Sequence, residues 1–152
     1  MRLLNWNYQG LGNPWTGSSL CKVVREQAPN MCFLMETQLD REGFDRLYGE
    51  LPYPNRIIVK KLDLGGGMAL IWKNEVIIDL INFTANHILV KVKKEDGFEW
   101  WLTWFYGWPE VNQWHKSWEL LGHLKSFVEG HWMCIGDFNV KVHLVCKTLV
   151  NV

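Results

Sequence analysis

The sequence has no excess charge, no long apolar run and no secretory signal, and each absence argues against a class of protein. Lys and Arg together number 16, as do Asp and Glu, so the formal net charge is zero. A protein that binds nucleic acid nonspecifically would be expected to carry a basic stripe. No apolar run approaches the ~20 residues that cross a bilayer, and MRLLNWNYQG turns polar too early for a signal peptide. We therefore expect no association with a membrane.

The chain also lacks paired cysteine spacing. Its four cysteines are Cys21, Cys32, Cys134 and Cys146, and no two of them form a CxxC motif. Two lie inside apolar, strand-like runs, where a buried thiol behaves as a small apolar side chain. Because disulfides follow the redox compartment, we expect reduced thiols and an intracellular protein, in the nucleus or the cytoplasm.

The residues that are present indicate one folded domain. Hydrophobic residues make up 48% of the 152 residues, and ten residues are Trp. A chain of about 150 residues buries roughly two-thirds of its unfolded surface, so a core of ordinary size can form. The Trp cluster at 100, 101, 104 and 108 is interpreted as core and interlayer packing, with a base-stacking platform as the alternative.

Hydrophobic periodicity predicts a mixed α/β protein. The predicted strands are residues 2–8, 31–36, 56–61, 67–73, 75–83, 87–94, 99–107 and 131–139, and the predicted helices are 18–27, 40–50 and 112–128. The five central strands are typical of an antiparallel meander. The last helix has an apolar stripe made of Trp114, Trp118, Leu121, Leu124 and Val128. Helices beside a sheet whose other face is covered by more strands imply a layered α/β sandwich.

Polar side chains stand at the carboxyl ends of three predicted strands. Side chains alternate between the two faces of a strand. The residues that share a face are Leu3, Asn5 and Asn7; Cys32, Leu34 and Glu36; and Met133, Ile135, Asp137 and Asn139. If the three strands are neighbours, the side chains of residues 7, 36, 137 and 139 converge at one rim, where ligands of α/β sheets bind.

This set of side chains suits a hard divalent cation. Carboxylate and amide oxygens favour Mg²⁺ or Mn²⁺ over Zn²⁺, and Mg²⁺ is held by few carboxylates together with water and substrate phosphate. Such a metal could polarise a phosphodiester, and a nearby Asp could orient or deprotonate water. The alternative for each of these residues is a turn former or a helix cap after a buried strand.

Five segments resemble one superfamily in their order and spacing. They are LLNWNYQGLGNP, CFLMET, GGGMALIWK, WFYGWPE and CIGDFN. As a set they are similar to the endonuclease/exonuclease/phosphatase superfamily, and more narrowly to the endonuclease domain of plant LINE-type (non-LTR) retrotransposons. The resemblance implies a deoxyribonuclease I-like α/β/β/α sandwich. It also implies hydrolysis of DNA phosphodiester bonds with Mg²⁺ or Mn²⁺.

The resemblance also implies a role for each matching residue. Glu36 matches the metal-binding carboxylate, and Asn7 matches the active-site Asn that supports it. Tyr106 matches the aromatic hydroxyl that contacts the scissile phosphate. Asp137 matches the residue that positions the attacking water, and Asn139 matches the residue that stabilises the transition state.

The resemblance ends at Asn139, where the family continues to a further Asp and a terminal Ser-Asp-His motif. The chain instead reads VKVHLVCKTLVNV, in which His143 lacks the Ser-Asp context. We therefore expect residues 1–139 to form the family domain with an incomplete second half. We expect residues 140–152 to be a divergent tail left by a frameshift, mis-splicing or a truncated element copy.

Three functions follow as hypotheses. The first is a metal-dependent DNA endonuclease-like domain that is inactive here because the Asp/His motif is missing. The second is a non-catalytic nucleic-acid-binding or interaction remnant. The third is a remnant with no selected role. For the second, Lys60, Lys61, Lys93 and Lys94 could contact a DNA backbone, although solvated strand edges are the simpler interpretation.

Overall fold

The computed structural model of the chain describes residues 1–7, 14–37, 41–60, 67–139 and 147–151. For residues 14–16, 41, 44 and 147–151 it describes the backbone alone. The chain divides into two compact units, one formed by Met1–Glu75 with Cys146–Val152 and the other by Val76–Val145. Each unit is built on one mixed sheet.

The first unit has five strands and two helices. The strands are β1 (Arg2–Asn7), β2 (Met31–Met35), β3 (Asn55–Val59), β4 (Met68–Trp72) and β9 (Lys147–Asn151), and the helices are α1 (Pro14–Gln27) and α2 (Arg41–Gly49). The strand order is β3-β4-β2-β1-β9, with β1 and β2 parallel and the other neighbours antiparallel. Because β1 and β2 are parallel and joined through α1, their carboxyl ends lie at the same edge of the sheet.

The first unit has its core on the helix side of this sheet. The buried cluster consists of Leu4, Trp6, Leu20, Cys21, Val24, Cys32, Leu34, Leu51, Tyr53, Ala69 and Ile71. All five residues of β2 are buried. The near-continuous apolar run in its sequence predicted this, because such runs are typical of strands that are buried on both faces. Helix α1 begins a turn earlier than predicted, at Pro14, because Pro is favourable at the first helical position.

The second unit has four strands and one long helix. The strands are β5 (Ile77–Thr84), β6 (His87–Lys93), β7 (Glu99–Tyr106) and β8 (Trp132–Asp137), and a short 3-10 turn (Val111–Gln113) leads into helix α3 (Trp114–Lys125). The strand order is β5-β6-β7-β8, with β7 and β8 parallel and the other neighbours antiparallel. Two mixed sheets with helices confirm the predicted α/β class.

The predicted five-strand meander is wrong as a single sheet. Strands β3 and β4 pair with each other and β4 pairs with β2, whereas β5 begins the sheet of the second unit. Burial explains the division, because β4 is almost fully buried and takes a central position. Strand β5 has mostly exposed side chains and takes an edge position. Alternation within each strand did not carry this information.

The predicted apolar stripe of α3 is also partly wrong. Leu124 is buried, but Trp118 is 58% exposed and the helix ends at Lys125, before Val128. Ser117 is buried instead, because its Oγ accepts a hydrogen bond from the backbone N–H of Trp108 at 3.2 Å. The polar Ser117 is thus buried at a place where the apolar pattern of the sequence predicted Trp118.

Other sequence interpretations have mixed outcomes. Trp100 and Trp104 are buried, as core packing requires. Lys93 forms ion pairs with Asp79 and Glu99, so its charge is matched within the sheet. Cys21, Cys32 and Cys134 are free thiols. The predictions for Lys61, His143 and Cys146 lie outside the described residues, and no helix in the described ranges is long and apolar enough to cross a membrane.

Candidate functional site

Asn7 and Glu36 form a hydrogen-bonded pair in the first unit. Asn7 is the last residue of β1 and Glu36 directly follows β2, and the parallel register places Asn7 beside Met35. The buried Asn7 side chain donates from Nδ2 to Oε1 of the half-buried Glu36 at 3.2 Å. The structure therefore brings together two of the residues that the sequence predicted to share a site.

Strand alternation alone would have placed Glu36 on the wrong side of the sheet. Cys32 and Leu34 belong to the helix-side core together with Trp6, whereas Asn7 is on the opposite face of β1 from Trp6. Glu36 has a φ of 54°, which ends the extended conformation and breaks the alternation. Asn7 and Glu36 therefore meet because Glu36 has a left-handed conformation, and not because the two residues share a strand face.

The donor atoms of this pair fit a hard divalent cation. A carboxylate and a carboxamide offer oxygen ligands, which Mg²⁺ and Mn²⁺ prefer. Among the residues that the structure describes, no group of three or more His, Cys, Asp or Glu side chains gathers to hold a metal. A zinc-type cage of such ligands is thus absent from the described ranges, while a site with one carboxylate, completed by water and substrate oxygens, remains compatible with them.

Tyr106 and Asp137 are neighbours in the second unit. They are the last residues of β7 and β8, and they are direct partners in the parallel register. The Tyr106 backbone is held on both sides by Asn86, whose carbonyl accepts from the Tyr106 N–H at 2.7 Å. The Asn86 side chain donates from Nδ2 to the Tyr106 carbonyl at 2.8 Å. The turn between β5 and β6 therefore positions the predicted phosphate-contacting Tyr.

Asp137 and Asn139 form a tight turn after β8. The Asn139 backbone N–H donates to Oδ1 of Asp137 at 2.8 Å, which is the turn-forming role that the alternative interpretation predicted. Gly107 joins the turn at two points: its N–H donates to the Asp137 carbonyl at 2.8 Å, and its carbonyl accepts from Asn139 Nδ2 at 2.6 Å. The Asp137 side chain is thus held by a contact within the turn, and the Asn139 side chain by a contact with the residue that follows β7.

Gly107 is the residue that allows this turn to approach β7. A Cβ at this position would lie 2.5 Å from the carbonyl oxygen of Phe138, which no side chain tolerates without a shift of backbone. Gly107 and Asn86 were not among the predicted site residues. The Gly that follows a buried strand in FYGWP was a usable signal, whereas the contact of Asn86 depends on tertiary structure.

Two of the predicted site residues have left-handed backbone conformations. Apart from Ala28, the non-Gly residues with positive φ in the described ranges are Glu36 at 54° and Asn139 at 53°. Such conformations cost about 1–3 kcal/mol each and persist where the surrounding structure imposes them, commonly at functional sites. Asn adopts this conformation more readily than most residues, so the strain argument applies mainly to Glu36.

The structure therefore assembles the predicted residues as two groups. Asn7 and Glu36 are together in the first unit, and Tyr106, Asp137 and Asn139 are together in the second. The expected convergence of all of these side chains at one rim stays a prediction.

Comparisons with known proteins place this chain by its fold. No protein-family model matches the sequence, and neither does any curated protein. Among solved structures, the human Nocturnin catalytic domain, with bound sulfate, matches 93% of this chain with a TM-score of 0.70 at 16% identity. The endonuclease domain of TRAS1, a telomere-specific non-LTR retrotransposon, matches 92% with a TM-score of 0.70 at 13% identity.

A third similar structure carries the superfamily name. It is an endonuclease/exonuclease/phosphatase family protein from Bacteroides thetaiotaomicron, with a TM-score of 0.63 and 14% identity over 92% of this chain. The chain spans 64%, 61% and 62% of the length of these three proteins, respectively. Similarity at such low identity establishes the architecture, and it confirms the deoxyribonuclease I-like fold class. The chain has the fold of the endonuclease/exonuclease/phosphatase superfamily.

Proposed function

We propose that this chain is a metal-dependent phosphodiesterase of the endonuclease type, from a LINE-type retrotransposon, with DNA as its substrate. The observation that carries the proposal is the Asn7–Glu36 pair, a buried amide bonded to a carboxylate at the carboxyl ends of two parallel strands. The sequence resemblance and the similarity in fold to the TRAS1 endonuclease domain support DNA as the substrate and the retrotransposon origin.

Each residue has a role that its position and chemistry support. Glu36 would hold Mg²⁺ or Mn²⁺, with the Asn7 amide orienting its carboxylate. A bound cation supplies Lewis-acid polarisation of a phosphoryl oxygen. Asp137 would orient the attacking water and accept its proton. The Tyr106 hydroxyl and the Asn139 amide would donate to phosphate oxygens as charge develops on them.

Metal binding tests the role of Glu36 directly. We expect Mn²⁺ to bind the wild-type chain, and we expect Glu36→Gln to weaken that binding at least tenfold because the only carboxylate of the pair loses its charge. Isothermal titration calorimetry with Mn²⁺ measures both affinities. Glu42→Gln is the matched control, because Glu42 is an exposed carboxylate in the first turn of α2. Equal affinities for the wild type and Glu36→Gln would contradict the assignment.

The proposal includes weak turnover by the chain alone. No Ser-Asp-His sequence occurs in its 152 residues, and catalytic groups that act as a unit are strongly non-additive. In a plasmid-nicking assay with Mg²⁺, we expect nicking at or near background. Robust nicking that both Glu36→Ala and Asp137→Ala abolish would overturn the expected inactivity while supporting the assigned roles. Robust nicking that survives both changes would refute the roles.

A specific surface favours the second candidate function, a non-catalytic binding role. Strand β5 exposes apolar side chains, namely Ile77, Leu80, Ile81 and Phe83, which are 38–52% exposed. Exposed apolar edge strands commonly pair with other chains. Salt-dependent DNA binding without cleavage, unchanged by Glu36→Ala, would favour this function over the first.

A further inference from the structure

A buried carboxamide without a protein partner lies next to the Asn7–Glu36 pair. Asn5 is completely buried on β1. Among the residues that the structure describes, neither Oδ1 nor Nδ2 of Asn5 has a hydrogen-bond partner. Buried side-chain polar atoms are nearly always hydrogen-bonded, so each exception requires an explanation.

The described side chains beside Asn5 on the same face of the sheet cannot satisfy its carboxamide. The strand register places Phe33 beside it on β2 and Leu70 beyond on β4. Leu3 precedes it on the same face of β1. All three are apolar and fully buried. Thr148 of β9 is the strand partner of Asn5 on its other side, and there the structure describes the backbone alone. The next residue on this face toward the carboxyl end is Asn7, whose side chain is polar and bonds Glu36.

The spacing along β1 suits one bridging water molecule. Residues two apart on a strand have Cα atoms about 6.6 Å apart, so two parallel carboxamides are too distant for a direct hydrogen bond. One water spans roughly this separation with two hydrogen bonds of about 2.8 Å each. Buried water typically makes about three hydrogen bonds to otherwise unsatisfied polar groups, and Asn5 alone can provide a donor and an acceptor.

We propose that Asn5 is a positioning residue of the candidate site: it holds one internal water molecule that links its carboxamide to that of Asn7. The water restricts rotation of the Asn7 side chain and thereby keeps its Nδ2 directed at Glu36. This inference rests on the proposed function in one respect: the expected effect on metal binding requires Glu36 to be the metal-binding carboxylate. The water itself does not depend on that function. Asn7 is the direct partner of the proposed metal-binding carboxylate, and partners in that position commonly change metal affinity 10- to 100-fold.

High-resolution crystallography tests the water itself. We expect one ordered water within hydrogen-bond distance of a polar atom of Asn5 and a polar atom of Asn7 in the wild type. We expect it to be missing in Asn5→Leu, which has nearly the same volume and no polar group. A protein group bonded to the Asn5 carboxamide in place of water, or no bridging density, would overturn the proposal.

Metal affinity and amide spectra test the positioning. For Asn5→Leu we expect Mn²⁺ binding that is weaker by up to about tenfold, and a shift of the Asn7 side-chain NH₂ resonances. We expect no lower Tm, because an apolar side chain of nearly the same volume replaces a buried polar group and its water. Asn5→Ser keeps a hydroxyl for the water and should retain most of the affinity. Unchanged Mn²⁺ affinity together with unshifted Asn7 resonances in Asn5→Leu would refute the positioning role.

A matched control separates loss of an unpaired polar atom from loss of the water bridge. The indole Nε1 of Trp100 is likewise buried without a partner among the described residues. Trp100→Phe should leave the Asn7 resonances and Mn²⁺ affinity unchanged. If the wild type and Glu36→Gln bind Mn²⁺ equally, the proposed metal site is wrong. In that case the electron density of the water and the Asn7 resonances still test the role of Asn5.

Discussion

His87 shows at the residue scale how burial sets chemistry in this chain. It is buried, with Nε2 2.6 Å from Asn82 Oδ1 and Nδ1 2.9 Å from Thr84 Oγ1. An amide oxygen only accepts, so Nε2 carries the proton and Nδ1 accepts from the hydroxyl. Burial, with a smaller contribution from the charge of His123, lowers the pKa of His87 to about 4. The imidazole is therefore neutral in the folded protein at neutral pH.

The lowered pKa of His87 predicts loss of stability in mild acid. Between pH 6.5 and about 4 the unfolded chain binds the proton and the folded chain does not. The free energy of unfolding therefore falls as pH drops through this window, by at most about 1.4 kcal/mol per pH unit from this residue. Above pH 6.5 His87 does not change the free energy of unfolding with pH, because it is neutral in both the folded and the unfolded chain. Urea unfolding between pH 4.5 and 7.5 measures the effect. His87→Gln should flatten the profile, and His115→Gln, at an exposed position, should not.

Gly136 carries a second prediction at the residue scale. A Cβ at this position would overlap the carbonyl oxygen of Phe105 on the neighbouring strand. We expect Gly136→Ala to lower the free energy of unfolding by ~3 kcal/mol, because backbone must move to admit the methyl group. Gly122→Ala is the control: a Cβ there meets nothing within 4 Å in α3, and the substitution should be neutral or stabilising by about 0.5–1 kcal/mol. Thermal unfolding of both variants makes the comparison.

Strand β5 is the feature with a consequence at the scale of the element. It is an edge strand whose side chains are mostly exposed, including Ile77, Leu80 and Phe83. A bulge between Leu80 and Asn82 interrupts its register with β6, and bulges are one way in which natural edges limit pairing with other chains. The exposed apolar side chains on both faces nevertheless leave this edge strand prone to association with other chains.

We expect charged substitutions on β5 to reduce self-association. Leu80→Lys combined with Phe83→Lys should lower light scattering on heating and leave the free energy of unfolding within about 1 kcal/mol, because both side chains are already partly in water. Glu95→Lys, in the exposed turn after β6, adds positive charge without removing apolar surface. Equal suppression by Glu95→Lys would show that net charge, and not the edge strand, governs association.

At the scale of the whole molecule, the buried thiol of Cys32 reports unfolding of the first of the two units. Cys32 is fully buried, and its Sγ donates to the Tyr53 hydroxyl, which in turn donates to the Pro29 carbonyl at 2.9 Å. Burial raises the pKa of the Cys32 thiol to about 12. The reactive thiolate is thus scarce and shielded in the folded chain.

We expect iodoacetamide to label Cys32 only when the first unit unfolds. In mass spectrometry across a urea series at pH 8, labelling of Cys32 should follow the loss of helical circular dichroism. Labelling of Cys32 in the absence of urea would contradict the buried hydrogen-bond chain. A Tyr53→Phe variant keeps the ring and removes the hydroxyl. It should lower the free energy of unfolding by about 1 kcal/mol, because one hydrogen bond is lost. The midpoint of Cys32 labelling should therefore move to a lower urea concentration.

Part of the candidate site was predictable, namely the polar residues that follow buried strands. Polar residues that end buried strands mark the carboxyl edge of a sheet, and Asn7 and Glu36 do meet there. Tyr106 and Asp137 could not be paired from sequence, because their contact depends on the parallel alignment of β7 and β8. Asn86 was missed for a similar reason: its two hydrogen bonds to Tyr106 join residues 20 positions apart.

Alternation and helical periodicity in the sequence by themselves determined the α/β class, the approximate bounds of the strands and helices, and the residues available for chemistry. Only the tertiary structure decided that β4 and β5 belong to different sheets, that Trp118 faces solvent, and that Glu36 turns toward Asn7. The physical reason is that periodicity records which side of an element is apolar. It does not record which other element covers that side, nor where a backbone leaves its regular conformation.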